Sequence, residues 1–552
     1  MSLQPSVRWN KHTDMIEGFE DTGTTRTSRI VDHVLVFMIR GLFGKWKQPV
    51  AYSYCEAATK TPVLVMQIKN VIREIHKTNL KVVACVCDQG STNVAAINSL
   101  IADTRATYLR KKQDLCDRIF EIDGKTIIPI FDPPHLLKGI RNSFMQKDLY
   151  FTDENNQQCK GKKKLTDCHV IPNKIKKMKV AICSQVFSWQ VAAAIRRMSL
   201  DESKSMDGNY SLHQDGIHTA DILLFFNDLF DSVNGSSKST TKNLKSAVSQ
   251  YSGHLQFWND SIKKLRNMYF MENTKRSTLP SLINWAKTLE NFKLLKMKTE
   301  SLGFKYFFPR QLNQDPLENC FGQMRQHGGR NVNPSCSEFG SYFKTLLVKN
   351  FVSYHAIGSN CEDDNEGLLD SLTSFLSYEE AESATEEEID TYDIVIGEKD
   401  SLTCEYSIAF VSGYLYNNMQ AMIGDCGNCK VILATPGGSM SHGLIELRER
   451  RPEQQRLTYC TKEFEDIMFQ IYSTYLRLLP QLCYKRNVFK TLKTIITSNY
   501  QIPIDCTTHN TKNLIVNNFL NLIIFNYCNG LNNILHGKDS RIDNSDPIQK
   551  YC

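Results

Sequence analysis

Apolar positions along the first 140 residues fall into a regular alternation. Residues 33–39 (HVLVFMI) and 50–54 (VAYSY) are β-rich runs separated by a Gly- and Pro-containing stretch. Thr61-Pro62 then reads as a helix cap followed by proline at the first helical position, and Leu64, Ile68, Val71, Ile72 and Ile75 recur at helical spacing. The continuous apolar run KVVACVC (81–87) predicts a strand buried on both faces, ending at Asp88. Residues 92–110 return to helical spacing through Val94, Ile97 and Ile101, and TIIPIF (126–131) is a further strand that runs into Asp132-Pro133-Pro134-His135. Strand, helix, strand, helix, strand predicts an α/β sheet, whose ligands gather at the carboxyl ends of its strands, where Asp88 and Asp132 stand. From about 174 to 300 the pattern turns helical, as it does again from 403 to 552, and no internal repeat is found.

A length of 552 residues with 41% apolar content is enough for about three to four domains. Apolar runs such as 519–526 fall short of the ~20 residues that span a bilayer, and the opening MSLQPSVRWN is polar, so neither a membrane span nor a signal peptide is expected. Eighteen scattered cysteines read as reduced thiols of an intracellular protein with one metal site, without disulfides. Net charge is +7, yet residues 361–400 hold 15 acidic side chains against one lysine, which predicts a solvated linker. The remainder is therefore basic. Its sharpest concentration is Lys160, Lys162, Lys163, Lys164, Lys174, Lys176, Lys177 and Lys179 against Asp167 alone, a solvated face or a phosphate-binding one.

Candidate chemistry carries a plain structural reading beside each functional one. DPLENCFGQMR (315–325) is a helix start with Asp315 as cap, Pro316 at the first position and Glu318 closing a capping box. Asp88 before Gln89-Gly90-Ser91 equally turns the chain into the next helix. If acids at such ends converge, they hold two divalent metals that activate water or a 3′ hydroxyl for attack on phosphorus. A phosphate-binding P-loop is excluded, because Ile119 stands where the first glycine before Gly124-Lys125-Thr126 is required. Cys426, Cys429, Cys506 and His509 supply the ligand set of a closed tetrahedral Zn²⁺, against the alternative of two buried thiol pairs.

Six blocks in order, LVFMIRGLFGKWKQPVAYSY (35–54), VVACVCDQGSTN (82–93), IFDPPHLLKGIRNSF (130–144), KMKVAICSQVFSWQVAAAI (177–195), FNDLFDSVNG (226–235) and DPLENCFGQMRQHGGRNVNP (315–334), resemble P-element-type DNA transposases, including the THAP-domain-containing group. The likeness runs over about residues 1–345 and is weaker at IAFVSGYLYNNM (408–419). It implies an α/β, RNase H-like catalytic domain (1–142 and 310–360) interrupted by a mostly α-helical GTP-binding insertion (143–309). An acidic linker (361–402) and a mainly α-helical C-terminal domain (403–552) follow. Asp88 and Glu318 correspond to two of the three acids that bind Mg²⁺ around the scissile phosphate.

By the same resemblance Lys164, Lys179, Val180 and Ser188 lie by the phosphates and ribose of GTP, Phe230, Asp231 and Asn234 stack on and read the base, and Asp315 assists. Otherwise Phe230 is core and Asp231 caps a helix end. GTP is then an assembly cofactor that is not hydrolysed. Partners are transposon-end and target DNA, and further copies of the chain in the DNA complex, in the nucleus and away from membranes. The first acid of the family pattern aligns just ahead of Met1, as do the THAP domain and coiled coil. The resemblance thus implies an N-terminally truncated, catalytically incomplete chain, or a residual GTP- and DNA-binding protein of repressor type.

Overall fold

The computed structural model describes residues 1–44, 46–113, 117–144, 147–152, 158–161, 180–200, 213–238, 244–272, 275–327, 331–348, 367–368, 402–437, 439–449, 457–500, 506 and 508–537. Lys164, Lys179 and nearly all of the acidic stretch 361–402 lie outside them.

The chain opens with an antiparallel ribbon of β1 (Arg8–Asn10) and β2 (Met15–Glu17), followed by β3 (Phe19–Asp21) and β4 (Arg26–Ile30). Next come β5 (His33–Arg40) and β6 (Trp46–Cys55), antiparallel over eight pairs with an irregularity at Phe37/Met38. Alternation along β5 has a direct consequence. Val34 and Val36 enter one core with Phe321, Met324, Phe339 and Phe343, while Leu35 and Phe37 pack on the other face against Leu64, Ile68, Ile72 and Leu100. Helix α1 (Thr61–Lys77) starts with Thr61 inside it and Lys60 as its cap residue, one position earlier than the sequence suggests.

Strand β7 (Ala84–Cys87) leads into α2 (Ser91–Arg110), then β8 (Phe120–Ile122), β9 (Lys125–Phe131) and α3 (Pro133–Phe144). Strands β7 and β9 are parallel, with Cys87 opposite Phe131, and β8 folds back on β9 through Asp123-Gly124, both at positive φ as a two-residue hairpin of this hand requires. The order β7-β9-β8 makes β7 an edge, so its residues are half-buried rather than covered on both faces as their run of apolar residues suggests, and β9 is the buried strand. This sheet shares no strand pairing with the β5-β6 sheet among the described residues.

Between α3 and residue 310 the expected helices are present at Val180–Val186, Trp189–Leu200, Gly216–Ser232, His254–Asn267 and Pro280–Ser301. A four-stranded antiparallel sheet from Asp148–Thr152, Gln158–Gly161, Tyr269–Glu272 and Lys275–Ser277 joins them, its strands too short for a sequence period to register. Among the described residues this region shares its core with β9. Ile128, Ile130 and Phe131 of β9 lie in one cluster with Phe226, Trp258, Trp285 and Phe292. The Asn291 side chain donates to the Pro129 carbonyl (2.6 Å), and the Phe131 amide donates to Thr288 Oγ1 (3.3 Å).

The C-terminal region is helical: Leu402–Ile423, Gly427–Leu433, Lys462–Leu482, Val488–Asn499 and Thr511–Leu535. The last is long and apolar enough to cross a membrane by length and composition, which the short apolar run 519–526 hides. Its Ile515, Val516, Phe519, Ile523 and Ile524 face is buried in the helical core. That core also takes Val7, Ile16 and Phe19 from the other end of the chain. Asp14 seals the junction, its carboxylate accepting from the Phe489 (2.8 Å) and Lys490 (2.9 Å) amides at the start of Val488–Asn499.

Candidate active site and a candidate metal cluster

Parallel pairing of β7 with β9 sets Asp88 and Asp132 side by side, one residue beyond their strands, and the Asp132 amide donates to the Cys87 carbonyl (2.8 Å). Their roles differ. Asp88 Oδ1 accepts from the Gly90 amide (2.7 Å) and from Asn93 Nδ2 (2.8 Å), so the carboxylate does turn the chain into α2. Only that oxygen is used: Oδ2 has no hydrogen bond among the described residues, and Asp88 is half-buried. Structural and functional readings of Asp88 are thus compatible.

Asp132 is 1% exposed and fully engaged. Its Oδ2 accepts from the His135 amide (3.0 Å) and lies 2.6 Å from His135 Nδ1, and its Oδ1 accepts from the Gln314 amide (2.7 Å). Burial pulls the His135 pKa down, but the hydrogen bond and charge of Asp132 outweigh it, and the imidazole is raised above its ordinary value. Asp132 therefore braces the segment that carries Glu318.

That segment is the helix Asp315–His327. Asp315 is its first residue rather than its cap, and the Glu318 amide donates to the Gln314 carbonyl (3.0 Å), so the expected capping box does not form. The Asp315 carboxylate instead accepts from Asn313 Nδ2 (2.8 Å) and faces Arg310 at 4.0 Å. Glu318 is half-buried, and its carboxylate has no hydrogen bond or ion pair among the described residues. Its charge acts on the His135 imidazole and on the Met1 amine, pushing the pKa of each upward. Burial lowers the pKa of that amine, which donates to the Val34 carbonyl (2.9 Å), while the charge of Glu318 and, to a smaller extent, that of Asp88 raise it. Arg325 lies two turns on in the same helix, its charge lowers the pKa of the same amine, and its buried Nε has no hydrogen-bond partner among the described residues. The sequence placed Asp132 with Asp88 at the strand ends where ligands gather, whereas the structure makes it a brace; His135 and Arg325 were not singled out, although DPPH at a strand end was a visible signal.

Other acids near the N-terminus are committed elsewhere. Asp14 caps a distant helix, Asp21 pairs with Arg26 (3.2 Å), and Asp32 binds His33 and the Ala57 amide.

The residues assigned to a nucleotide are partly gathered. Phe230 and Asp231 lie in the last turn of Gly216–Ser232, whose end is pinned by the Trp258 indole donating to Ser232 Oγ (3.0 Å). Phe230 is 9% exposed within the core, and Asp231, 3.7 Å from Lys245 Nζ, is part of the helix rather than its cap. The Asn234 amide donates to the Asp231 carbonyl (3.2 Å). Gly235 then passes so close to Ser246 that a Cβ would stand 2.1 Å from its carbonyl oxygen. The Arg310 amide donates to the Gly235 carbonyl (3.3 Å) while its guanidinium faces Asp315, which links the 230–235 segment to Asp315. Ser188 is occupied as a helix start, its Oγ accepting from the Val191 amide (3.3 Å), and Val180 begins the helix Val180–Val186. The two lysines assigned to the phosphates fall outside the described residues.

In the C-terminal region Cys426, Cys429, Cys506 and His509 do come together: their ligand atoms all lie within 4.8 Å of one another. Cys426 precedes the helix Gly427–Leu433 and Cys429 sits in its first turn, while Cys506 and His509 precede Thr511–Leu535.

Residues 1–101 match the model of the TNP-like RNase H N-terminal domain and residues 311–344 that of its C-terminal domain. The chain thus carries TNP-like RNase H domains, whose two parts meet in the core around Val34, Phe321 and Phe339. It is homologous to the Transposable element P transposase of Drosophila melanogaster, at 26% identity over 356 residues, or 60% of this chain and 44% of that protein. The chain thus spans under half the length of that relative. Its fold is similar to the Drosophila P element transposase strand transfer complex, with a TM-score of 0.50 at 23% identity, covering 63% of this chain and 75% of that one.

Proposed function

We propose that this P-element transposase-like chain acts on DNA through an Mg²⁺-dependent RNase H-like centre to which Asp88 and Glu318 contribute two acids. The observation that carries the reading is the pair of partly open carboxylates, each with oxygen to spare among the described residues, joined through Asp132: Asp88 stands beside it at the strand ends, and Glu318 follows the Gln314 amide that it holds. Oxygen donors with free lone pairs suit a hard divalent cation. Asp88 and Glu318 would hold Mg²⁺ there, which would supply polarisation of the phosphoryl oxygen and a lowered pKa for the attacking water or 3′ hydroxyl. The chain's own contribution is positional: Gly90 and Asn93 fix the Asp88 rotamer, the Asp132–Gln314 bond fixes the helix bearing Glu318, and Arg325 offers a cation to a backbone phosphate. DNA is the substrate on this reading, the nucleus its place, and several copies act together on paired ends.

Incubation with the terminal repeats of its own element and Mg²⁺ is expected to give DNA binding that survives Asp88→Ala, and any Mg²⁺-dependent cleavage is expected to be lost in both Asp88→Ala and Glu318→Gln. Cleavage undiminished in both variants would overturn the assignment of these two acids. The second reading, a GTP- and DNA-binding repressor, shares the binding result and is favoured by Asp88 already serving in the turn that leads into α2.

For the insertion we propose GTP as the ligand, with Asp231 accepting from guanine N1 and N2, Asn234 and Asp315 supporting it, and Lys164 and Lys179 neutralising phosphates. The donor set fits guanine, whose two adjacent donors adenine lacks. The Phe230 ring, covered in the core, acts as a wall rather than an open stacking platform. Calorimetry on the whole chain is expected to show GTP bound at least about tenfold tighter than ATP, a preference erased by Asp231→Ala, while Lys179→Ala weakens both. Equal affinities in the unmodified chain would remove GTP from the account.

A further inference from the structure

We infer that Cys426, Cys429, Cys506 and His509 bind one structural Zn²⁺, and that this ion fastens the helix whose far end holds the N-terminal segment leading to the candidate active site. The inference stands independently of the DNA chemistry above.

The distances are those of a tetrahedron around a zinc-sized centre. With Zn–S near 2.3 Å and Zn–N near 2.0–2.1 Å, tetrahedral angles put sulfur atoms about 3.8 Å apart and sulfur and nitrogen about 3.6 Å apart. Cys426 Sγ stands 3.7 Å from Cys506 Sγ, Cys429 Sγ is 3.6 Å from His509 Nδ1, and Cys506 Sγ is 4.0 Å from the same nitrogen. These three edges are close to their tetrahedral values, all four atoms lie within 4.8 Å of each other, and the three cysteines are free thiols. Three soft thiolates and an imidazole select Zn²⁺ over Mg²⁺ or Ca²⁺, and four protein ligands leave no open position for water or substrate. Cys429 is fully buried and Thr511 Oγ1 approaches its sulfur at 3.8 Å, an outer contact that orients the ligand.

The site joins two segments about 80 residues apart in sequence, each the start of a helix. Thr461 ties Gly427–Leu433 to the Lys462–Leu482 helix, its hydroxyl donating to the Ile432 carbonyl (2.7 Å) and its amide to the Leu433 carbonyl (3.1 Å). Thr511–Leu535 runs from the cluster to Asn532, whose side chain brackets the Val7 backbone: Oδ1 accepts from its amide (2.8 Å) and Nδ2 donates to its carbonyl (2.9 Å). Gln4 also meets His536 (3.3 Å). Residues 4–7 run on from Met1, whose carbonyl accepts from the Val34 amide (2.9 Å), and from Leu3, which is buried with Phe321 and Met324 of the helix that bears Glu318. One rigid helix thus has the metal cluster at its start and the N-terminal segment at its end.

Purified under reducing conditions, the whole chain is expected to contain one zinc per polypeptide by mass spectrometry of the metal. Exchange with Co²⁺ should give the intense visible bands of tetrahedral coordination and a sulfur charge-transfer band. Cys506→Ser should lose the metal, whereas His509→Cys should keep it with a stronger charge-transfer band. Removing zinc with a chelator should speed hydrogen exchange in 511–535 and 4–10 while leaving α1 and α2 unchanged. A folded chain without metal that takes up no Co²⁺, an octahedral cobalt spectrum, or a Cys426–Cys506 disulfide found by peptide mapping would each overturn the site. Zinc present with unchanged exchange at 4–10 would overturn the link to the N-terminal segment. The cobalt titration uses the unmodified chain, so it decides the matter even if Cys506→Ser fails to fold.

Discussion

Two clusters of ligand-type residues differ in how much of their bonding capacity the protein itself consumes. Around Asp88 and Glu318 the carboxylates are half-buried, come from elements far apart in sequence and keep oxygens free. Around Cys429 the four ligand atoms lie in mutual contact, and the space between them fits one ion. An open set of hard oxygens with spare lone pairs is suited to a cation that must also bind substrate; a closed set of soft ligands is suited to one that only holds the fold together. The comparison also explains Asp132, which resembles the first cluster by position and the second by bonding: every hydrogen bond it makes is internal.

The comparison is most exposed at the closed cluster. Cys429→Ser should lower the melting temperature by about 10 °C or more, equivalent to roughly 4 kcal/mol, with loss of C-terminal helix by circular dichroism. Unchanged melting would mean that the cluster is not a support. Next comes Asp132→Ala, which strands the Gln314 amide and the His135 ring; a cost of about 3 kcal/mol in urea denaturation is expected. A loss below roughly 1 kcal/mol would place Asp132 with the open acids instead.

Part of the Asp132 effect should titrate. Because the folded pKa of His135 is raised, the ion pair's contribution is fully present below the ordinary histidine value near 6.5 and is lost as pH rises through the folded pKa. Stability measured from pH 5 to 8 should therefore fall over that window, and His135→Asn should flatten the component. A wild-type profile indistinguishable from that of the variant would show that the pair is not charged when folded.

The smallest stability effects belong to the open acids. Asp88→Ala removes a helix-start bond and should cost about 1 kcal/mol, and Glu318→Gln should stay within about 0.5 kcal/mol. Both should sharply weaken Mn²⁺ binding followed by electron paramagnetic resonance with DNA present. If either variant unfolds the chain, or if Mn²⁺ binds both as before, the distinction between open and closed clusters collapses.

Much of this was legible from the chain alone, because it rests on local periodicity and on punctuation by Gly, Pro and Asp. The alternation of strands and helices over residues 33–144, Asp88 at a strand end and the helix start at Asp315 all follow from short-range sterics and the burial of one face. The ligand types of the Cys/His cluster were also readable from composition and spacing. Tertiary structure alone decided whether those four residues meet, since a gap of 76 residues between Cys429 and His509's neighbour Cys506 leaves pairing to the packing of intervening helices. It alone made Asp132 a brace rather than a ligand, by bringing the Gln314 amide to it across 182 residues. It alone merged the expected domains: Val7, Ile16 and Phe19 belong to the C-terminal core, and β9 shares its core with the segment after α3. Apolar faces carry no address in the sequence; hydrophobic burial is non-directional, so a period tells which side of an element is covered and shape complementarity in the folded chain selects what covers it.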